Sequence, residues 1–397
     1  MKGEFLNFEF LTLPHRSRLL VALWFAILFL PFKGLKASVI LFSVLSVAFF
    51  SFGSLVAFLG LSWKKTGSLR ARIGRKKLLP STFPLLRYLT IAGLFVIPLF
   101  AKNYLLDISI LTGIYVILAL GLNVVVGFAG LLNLGYVAFY ALGAYTYALL
   151  NLKMGFGFWQ SMPVCIGVTA LSGFVLSVPA LRLRGDYLAI VTLGFGEIVR
   201  LVLNNWDSVT NGPNGISGIA PPQILGFSLA GMSGYYYLTL LSAILTYTVV
   251  KRVRSSKIGR AWVAIREDEV CASAMGIPTT RYKLYALSFG SLWAGLAGGL
   301  FAAKMQFVSP ESFTFMESVL VLCMVILGGL GSLPGVVVGA LLLIMLPEVL
   351  REVQSFRMLA LSIGLIIMMI FRPQGLLGGM GGENPQGGSP KDDVCTF

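Results

Sequence analysis

From residue 19 onward the chain alternates between long apolar runs and short polar breaks. The runs occupy 19–32, 37–63, 88–100, 108–126, 131–150, 161–181, 187–203, 235–250, 284–303, 318–350 and 359–371. About 20 apolar residues cross a hydrocarbon core of about 30 Å, so the longer runs predict membrane spans and the shorter ones tilted, broken or re-entrant helices. The 318–350 run is interrupted by GGLGSLPG at 328–335. A helix of about 12 residues ahead of that break rises only about 18 Å, which predicts a broken or hairpin helix. Irregular backbone at membrane depth is tolerated where protein or a water-filled path surrounds it. The pattern as a whole predicts an all-α polytopic membrane protein of about 10–12 transmembrane or half-spanning helices.

The polar breaks give the orientation. Segment 64–87 holds eight Lys or Arg and no acid, with Gly67, Gly74 and Pro80 as breakers. It predicts a cytoplasmic linker between an N-terminal extension of two spans (1–63) and a main body at 88–372, because Lys and Arg collect in cytoplasmic loops. Arg182 and Arg184 place their loop on the same side. Segment 204–234 contains Asp207 and no Lys or Arg, so it is expected outside. Its TNGPNGISGIAPP predicts ordered turns with little helix, and Asp186 is the expected N-cap of the preceding span. The Gly-, Pro- and Asn-rich tail, 373–397, is expected to be disordered, with both termini cytoplasmic. Glu4 and Glu9 spoil the basic region of a signal peptide, so the first run is read as a span.

Composition agrees with this reading. The chain is 57% hydrophobic and 12% charged, against roughly 45–50% and a quarter in soluble domains. Its net charge of +15 would suit nucleic acid only if it formed a basic face on a soluble fold; here it sits in loops between spans. Cys165, Cys271, Cys323 and Cys395 are too scattered for a disulfide framework or metal ligation. The only histidine is His15, so the main body offers no histidine-based catalytic or metal site. No G-x-x-x-x-G-K-[ST] is present; if ATP drives this chain, another chain binds it. No cofactor and no metal are expected.

The largest charged segment is 251–283, with eight Lys or Arg and three acids. Within it, 261–275 predicts a helix whose apolar face carries Trp262, Ile265, Ala272 and Met275, with Gly276 and Pro278 as its stop. Such a helix suits a groove on a soluble partner or the lipid headgroup region. Elsewhere, Glu197 lies midway along its span with Arg200 three residues on, on the same face. A charge at that depth must be paired or wet, as an internal clamp, a contact with a partner, or a lining of a path. Asn123, Asn133 and Tyr136 are further candidates for a path, or for helix-to-helix hydrogen bonds. Glycines recur in a similar order at Gly127, Gly130, Gly135 and Gly143 and at Gly328, Gly331, Gly335 and Gly339. That is either an internal repeat, as transporters often carry, or close helix packing.

The stretch GRAWVAIREDEVCASAMGIPTTRYKLYALSFG from Gly259 is similar to the cytoplasmic loop of the LivM-type permease subunits of branched-chain amino-acid ABC transporters. So are GLNVVVGFAGLLNLG from Gly121, LRLRGDYLAIVTLGFGEIVRLVLNN from Leu181, NGPNGISGI from Asn211, the stretch from Phe307 to Ala340, and FRPQGLLG from Phe371. The resemblance covers roughly 105–378. It implies a non-catalytic importer subunit with an internal repeat, paired with a second related permease, two cytoplasmic ATPases and an external solute-binding protein. It assigns Arg266, Glu267, Asp268, Glu269, Ala272 and Gly276 to a coupling loop; Glu269, Ala272 and Gly276 resemble the E-x-x-A-x-x-x-G of such loops. One position departs: relatives commonly read L-G-H where this chain has Leu134, Gly135 and Tyr136. Branched-chain amino acids are the implied substrates, with urea or short amides as alternatives, in a prokaryotic inner membrane. An autonomous ion-coupled carrier would favour more intramembrane acids than Glu197 and Glu317; a membrane enzyme lacks a nucleophile-base signature.

Overall fold

The apolar runs of the main body fold into helices, seen in a computed structural model that describes residues 103–349 except 181, 182, 184, 225, 226, 229 and 230, together with Pro98 and Gly375. The expected N-terminal extension (1–63), linker (64–87), final run (359–371) and tail (373–397) lie outside the described residues. So do Arg182, Arg184 and all of the 88–100 run but Pro98.

Ten helices carry the described fold: α1 (Asn103–Leu122), α2 (Tyr136–Met154), α3 (Phe158–Ala180), α4 (Asp186–Asn205), α5 (Met232–Arg254), α6 (Lys257–Glu267), α7 (Glu269–Ala274), α8 (Thr279–Met305), α9 (Phe315–Gly328) and α10 (Leu333–Val349). Helices α1 and α8 form the interior. From Val116 on, α1 is buried at every position, as a helix apolar on all faces requires. It then widens into a π-helical turn, Asn123–Phe128, a feature frequent at functional sites. The 27 residues of α8 pack against α3, α2 and α1. Their small side chains let backbones touch: a Cβ on Gly143 of α2 would lie 2.6 Å from the Cα of Gly295. The exposed Leu171, Val175 and Val178 of α3 form an outward apolar face suited to hydrocarbon.

The loop after α4 forms ordered turns with little helix. It has a single helical turn at Asp207–Thr210, a 3₁₀ turn at Gly212–Asn214, and the two-residue strands β1 (Ile216–Ser217), β2 (Gln223–Ile224) and β3 (Phe227–Ser228). β2 pairs with β3, while β1 pairs antiparallel with β4 (Phe307–Val308), with Ile216 opposite Val308. The loop is tied down by Asn151, whose Oδ1 accepts from the Ala220 amide at 2.8 Å, and by Trp159, whose Nε1 donates to the Gln223 carbonyl at 3.0 Å. At the same pole Lys304 of α8 pairs with Asp107 of α1 at 2.8 Å. Asp186 is not the N-cap of α4. Gly185 takes that place at φ 57°, leaving Asp186 in the first turn, where it complements the helix dipole.

Candidate functional site

The charged segment forms two helices where periodicity predicts one. Asp268 leaves helical geometry, and its Oδ1 accepts from the amides of Val270 and Cys271 at 2.7 and 2.9 Å. An aspartate that can serve the next helix as N-cap competes with the one it ends. The amide of Cys271 first, then the Cys271 thiol and the Val270 amide, hold the Asp268 carboxyl below the ordinary carboxylate range. α7 closes at Gly276, at φ 81°. Ile277 N–H donates to Ala272 O and Gly276 N–H to Ser273 O, the paired bonds of a glycine-terminated helix.

The apolar face of this pair is spent inside the chain. Trp262, Ile265 and Ala272 are buried, and Trp262 Nε1 donates to the Tyr282 carbonyl of α8 at 2.8 Å. Glu269 pairs with Lys283 of α8 at 2.6 Å, with the lysine side chain only 7% exposed. Met275, expected on the same face, is instead 83% exposed, because the break at Asp268 and the turn at Gly276 carry it away. Val263, Glu267, Val270 and Met275 are left facing out.

Arg266 reaches the other way. Its Nη1 donates to the Gly127 carbonyl, at the end of the π turn, at 2.6 Å; its Nη2 pairs with Glu267 at 2.9 Å. A Cβ on Gly130 would lie 2.7 Å from Arg266 Cγ, and one on Gly331 would lie 3.4 Å from Nη1. The two glycine breaks therefore meet at this arginine. They also meet each other: the Gly331 amide donates to Asn123 Oδ1 at 2.9 Å, and a Cβ on Gly127 would come within 2.7 Å of the Gly331 nitrogen.

A second feature lies deeper. After the π turn the chain does not enter α2 until Tyr136; the Leu134 amide donates to Thr192 Oγ1 of α4 at 3.0 Å, and the Val137 amide donates to Ser318 Oγ of α9 at 3.2 Å. α9 is itself a short helix of 14 residues, fixed to α1 by Tyr115, which donates to Glu317 at 2.6 Å. Between these late-starting helices and α4 is an open cleft, lined by Leu134, Val137, Glu197, Phe313, Thr314 and Phe315 among others. Glu197 pairs with Arg200 at 2.8 Å, both side chains about one-third exposed.

Of the four residues considered for a path, Glu197 alone is among the lining residues. Asn123, Asn133 and Tyr136 are buried. Asn123 receives the Gly331 amide, Asn133 receives the Gly135 amide at 3.0 Å, and the Tyr136 hydroxyl donates to the Gly290 carbonyl at 2.8 Å. Of the loop residues, Glu267 and Gly276 stay on the surface, while Arg266, Asp268, Glu269 and Ala272 hold the two helices in place. Sequence reasoning missed Lys283, Thr192, Ser318 and Phe313. Lys283 alone left a signal, as the last cation of the charged segment, directly before an apolar run.

A family model described as the branched-chain amino acid transport system / permease component matches residues 104–371. The chain is 48% identical over 303 residues to the high-affinity branched-chain amino acid transport system permease protein LivM of Salmonella typhimurium, covering 70% of this chain and 71% of that one. A probable LivM of Methanocaldococcus jannaschii is 26% identical, over 67% of this chain and 90% of its own. LivH of Escherichia coli is 25% identical, over 66% and 91%. No solved structure matches.

Proposed function

The chain belongs to the family of branched-chain amino acid transport permease components, and from that premise we propose that it forms half of the translocation path of an ATP-binding-cassette importer. It moves branched-chain amino acids delivered by an external solute-binding protein across a prokaryotic inner membrane. Likeness to both LivM and LivH relatives supports pairing with a second, related permease. ATP hydrolysis falls to two cytoplasmic partner chains, a reading supported by the lack of any Walker sequence here. The chain does no covalent chemistry.

One observation carries the mechanism: Arg266, in the same helix pair that exposes Glu267, Val270 and Met275, bonds the Gly127 carbonyl at 2.6 Å. The outward residues take the ATPase. Asp268, Ala272 and Gly276 give α6 and α7 their fixed shape, and Glu269 locks them to α8. When the ATPase moves, the two helices move as a body, and Arg266 passes the displacement to both glycine breaks. The first break leads into, and the second ends, a segment that walls the cleft. Orientation follows: the α5–α8 loop and both termini are cytoplasmic, and the loop of β1–β3 is external.

Gentle purification from native membranes followed by reconstitution tests this. ATP-dependent leucine uptake is expected only when the second permease, the ATPases and the binding protein are present. Transport by the purified chain alone would overturn the reading in favour of an autonomous carrier.

A further inference from the structure

Beside the cleft is a charged pair that the coupling scheme leaves unused: Glu197 lines the cleft and Arg200 is held to it. Glu197 lies about 16 Å along α4 from its start, near the middle of a helix of 20 residues. A charge at such a depth is costly against lipid and faces protein or water. Yet the Glu197 and Arg200 side chains remain 34% and 35% exposed on this chain, so their side of α4 must face a path or a neighbouring subunit. Both Arg200 Nε and Nη2 converge on one oxygen, Glu197 Oε2, at 3.0 and 2.8 Å. Among the described residues, neither Glu197 Oε1 nor Arg200 Nη1 has a hydrogen-bond partner. The pair thus presents one open carboxylate oxygen next to one open guanidinium nitrogen, beside an apolar wall of Leu134, Phe313 and Phe315.

We propose that this pair is a headgroup site for the amino-acid zwitterion in transit, an inference that rests on the permease reading above. The substrate ammonium donates to Glu197 Oε1, its carboxylate accepts from Arg200 Nη1, and its branched side chain lies on the apolar wall. Three physical facts favour this ligand class. An α-amino acid carries both charges on one carbon, so only adjacent opposite charges can meet both. Pair and ligand are each neutral overall, so the substrate passes membrane depth without adding net charge, while its polar groups exchange water for fixed partners. A monoamine or a monocarboxylate leaves one open atom of the pair unmatched, the situation in which polar sites discriminate strongly. The cleft is open on one side.

The test uses the full importer in proteoliposomes with labelled leucine. Glu197→Gln leaves Arg200 without its counter-ion, so the informative variant is the double substitution Glu197→Gln with Arg200→Gln, which removes both charges and keeps a polar side chain at each position. The expected result is a fall of at least about tenfold in maximal uptake, with the half-saturating leucine concentration, set by the binding protein, unchanged. If the pair merely clamps α4, the double variant recovers wild-type uptake, as double-mutant logic requires of a pair whose only role is mutual; that recovery overturns the proposal. Wild-type importer without ATP-dependent uptake would remove the permease reading itself. A readout in an otherwise native importer does not depend on the charged variants assembling. With Thr314→Cys at the cleft, leucine should protect position 314 from alkylation, read by mass spectrometry, while 4-methylpentanoate and isopentylamine should not. No protection by leucine, or equal protection by all three, overturns the proposal.

Discussion

Arg266 and Arg200 have side chains equally exposed, at 35% each, and each pairs with a nearby glutamate. Their surroundings differ. Arg266 also bonds a backbone carbonyl 139 residues away in sequence and lies against two glycine breaks, so it joins three segments that local structure leaves separate. Arg200 touches the carboxylate three residues back on its own helix and holds no other segment. A connector transmits displacement, and its loss is felt elsewhere; a self-contained pair with open atoms serves a ligand, and its loss is felt on the spot. Exposure and residue type do not distinguish the two roles, whereas the number of segments bridged does.

The largest expected effect is at the lock that makes the connector side rigid. Lys283 is almost wholly buried and its ammonium is met by Glu269 at 2.6 Å. Glu269→Ala strands that charge, and breaking a buried pair from one side costs about 3–5 kcal/mol; the partial exposure of Glu269 favours the lower end. Thermal unfolding of the purified importer should shift down accordingly, and adding Lys283→Met should restore most of the loss. No rescue by the second change would mean that α7 is not held to α8 through this pair.

Next in size is Arg266→Ala. A hydrogen bond from a charged donor is worth about 1.5–3 kcal/mol, roughly 10- to 100-fold in an equilibrium between two arrangements of the junction. The expected readout is a rise of at least about tenfold in ATP hydrolysed per leucine transported, with the importer still assembled. Arg266→Lys should fall between, since an ammonium keeps the charge without the planar fork. Unchanged stoichiometry in Arg266→Ala would return α6 and α7 to the alternative of a lipid-surface element.

How much of this was legible follows the same division. Runs 108–126, 187–203, 235–250 and 284–303 fall inside α1 with its π turn, α4, α5 and α8, and the described part of run 161–181 falls inside α3, because apolar length decides a span whatever the packing. The break near Gly328 was legible from its glycines and proline, and the Glu197 to Arg200 pairing from its spacing. Four features were not. The π turn has the same apolar composition as the helix it ends. The late start of α2 at Tyr136 depends on distant partners, Thr192 accepting from the Leu134 amide ahead of the helix and Ser318 from the Val137 amide in its first turn. The split at Asp268 turns on two amide bonds to one carboxylate, which leaves the apolar spacing on either side intact. The Arg266 contact is long-range, and nothing local announces it.

The self-contained side of the comparison predicts a small effect on stability. Exposed ion pairs are worth about 0–1 kcal/mol, so the double change Glu197→Gln with Arg200→Gln should leave the unfolding transition within about 1 kcal/mol of wild type. A larger loss would show that α4 relies on the pair structurally, and the contrast with Arg266 would narrow.

The smallest effect concerns the joint between α6 and α7. Asp268 is fully exposed, and its carboxylate is held below its ordinary range by the amide of Cys271 first and then by the Cys271 thiol and the amide of Val270. A carboxyl whose folded value is depressed contributes in full above its unfolded value and loses that contribution only as pH falls through the lower, folded one. The cap is therefore in place across the whole range from about pH 5 to about pH 8. Amide hydrogen-exchange protection at 270–274 should be the same at both ends of that range in the native chain. It should drop modestly and equally at both in Asp268→Ala, and persist in Asp268→Asn, whose side-chain oxygen still accepts from the same amides. Native protection that weakened near pH 5 would place the carboxyl's titration well above where these bonds put it, and would make the joint between the docking helices a pH-sensitive element instead of a fixed one.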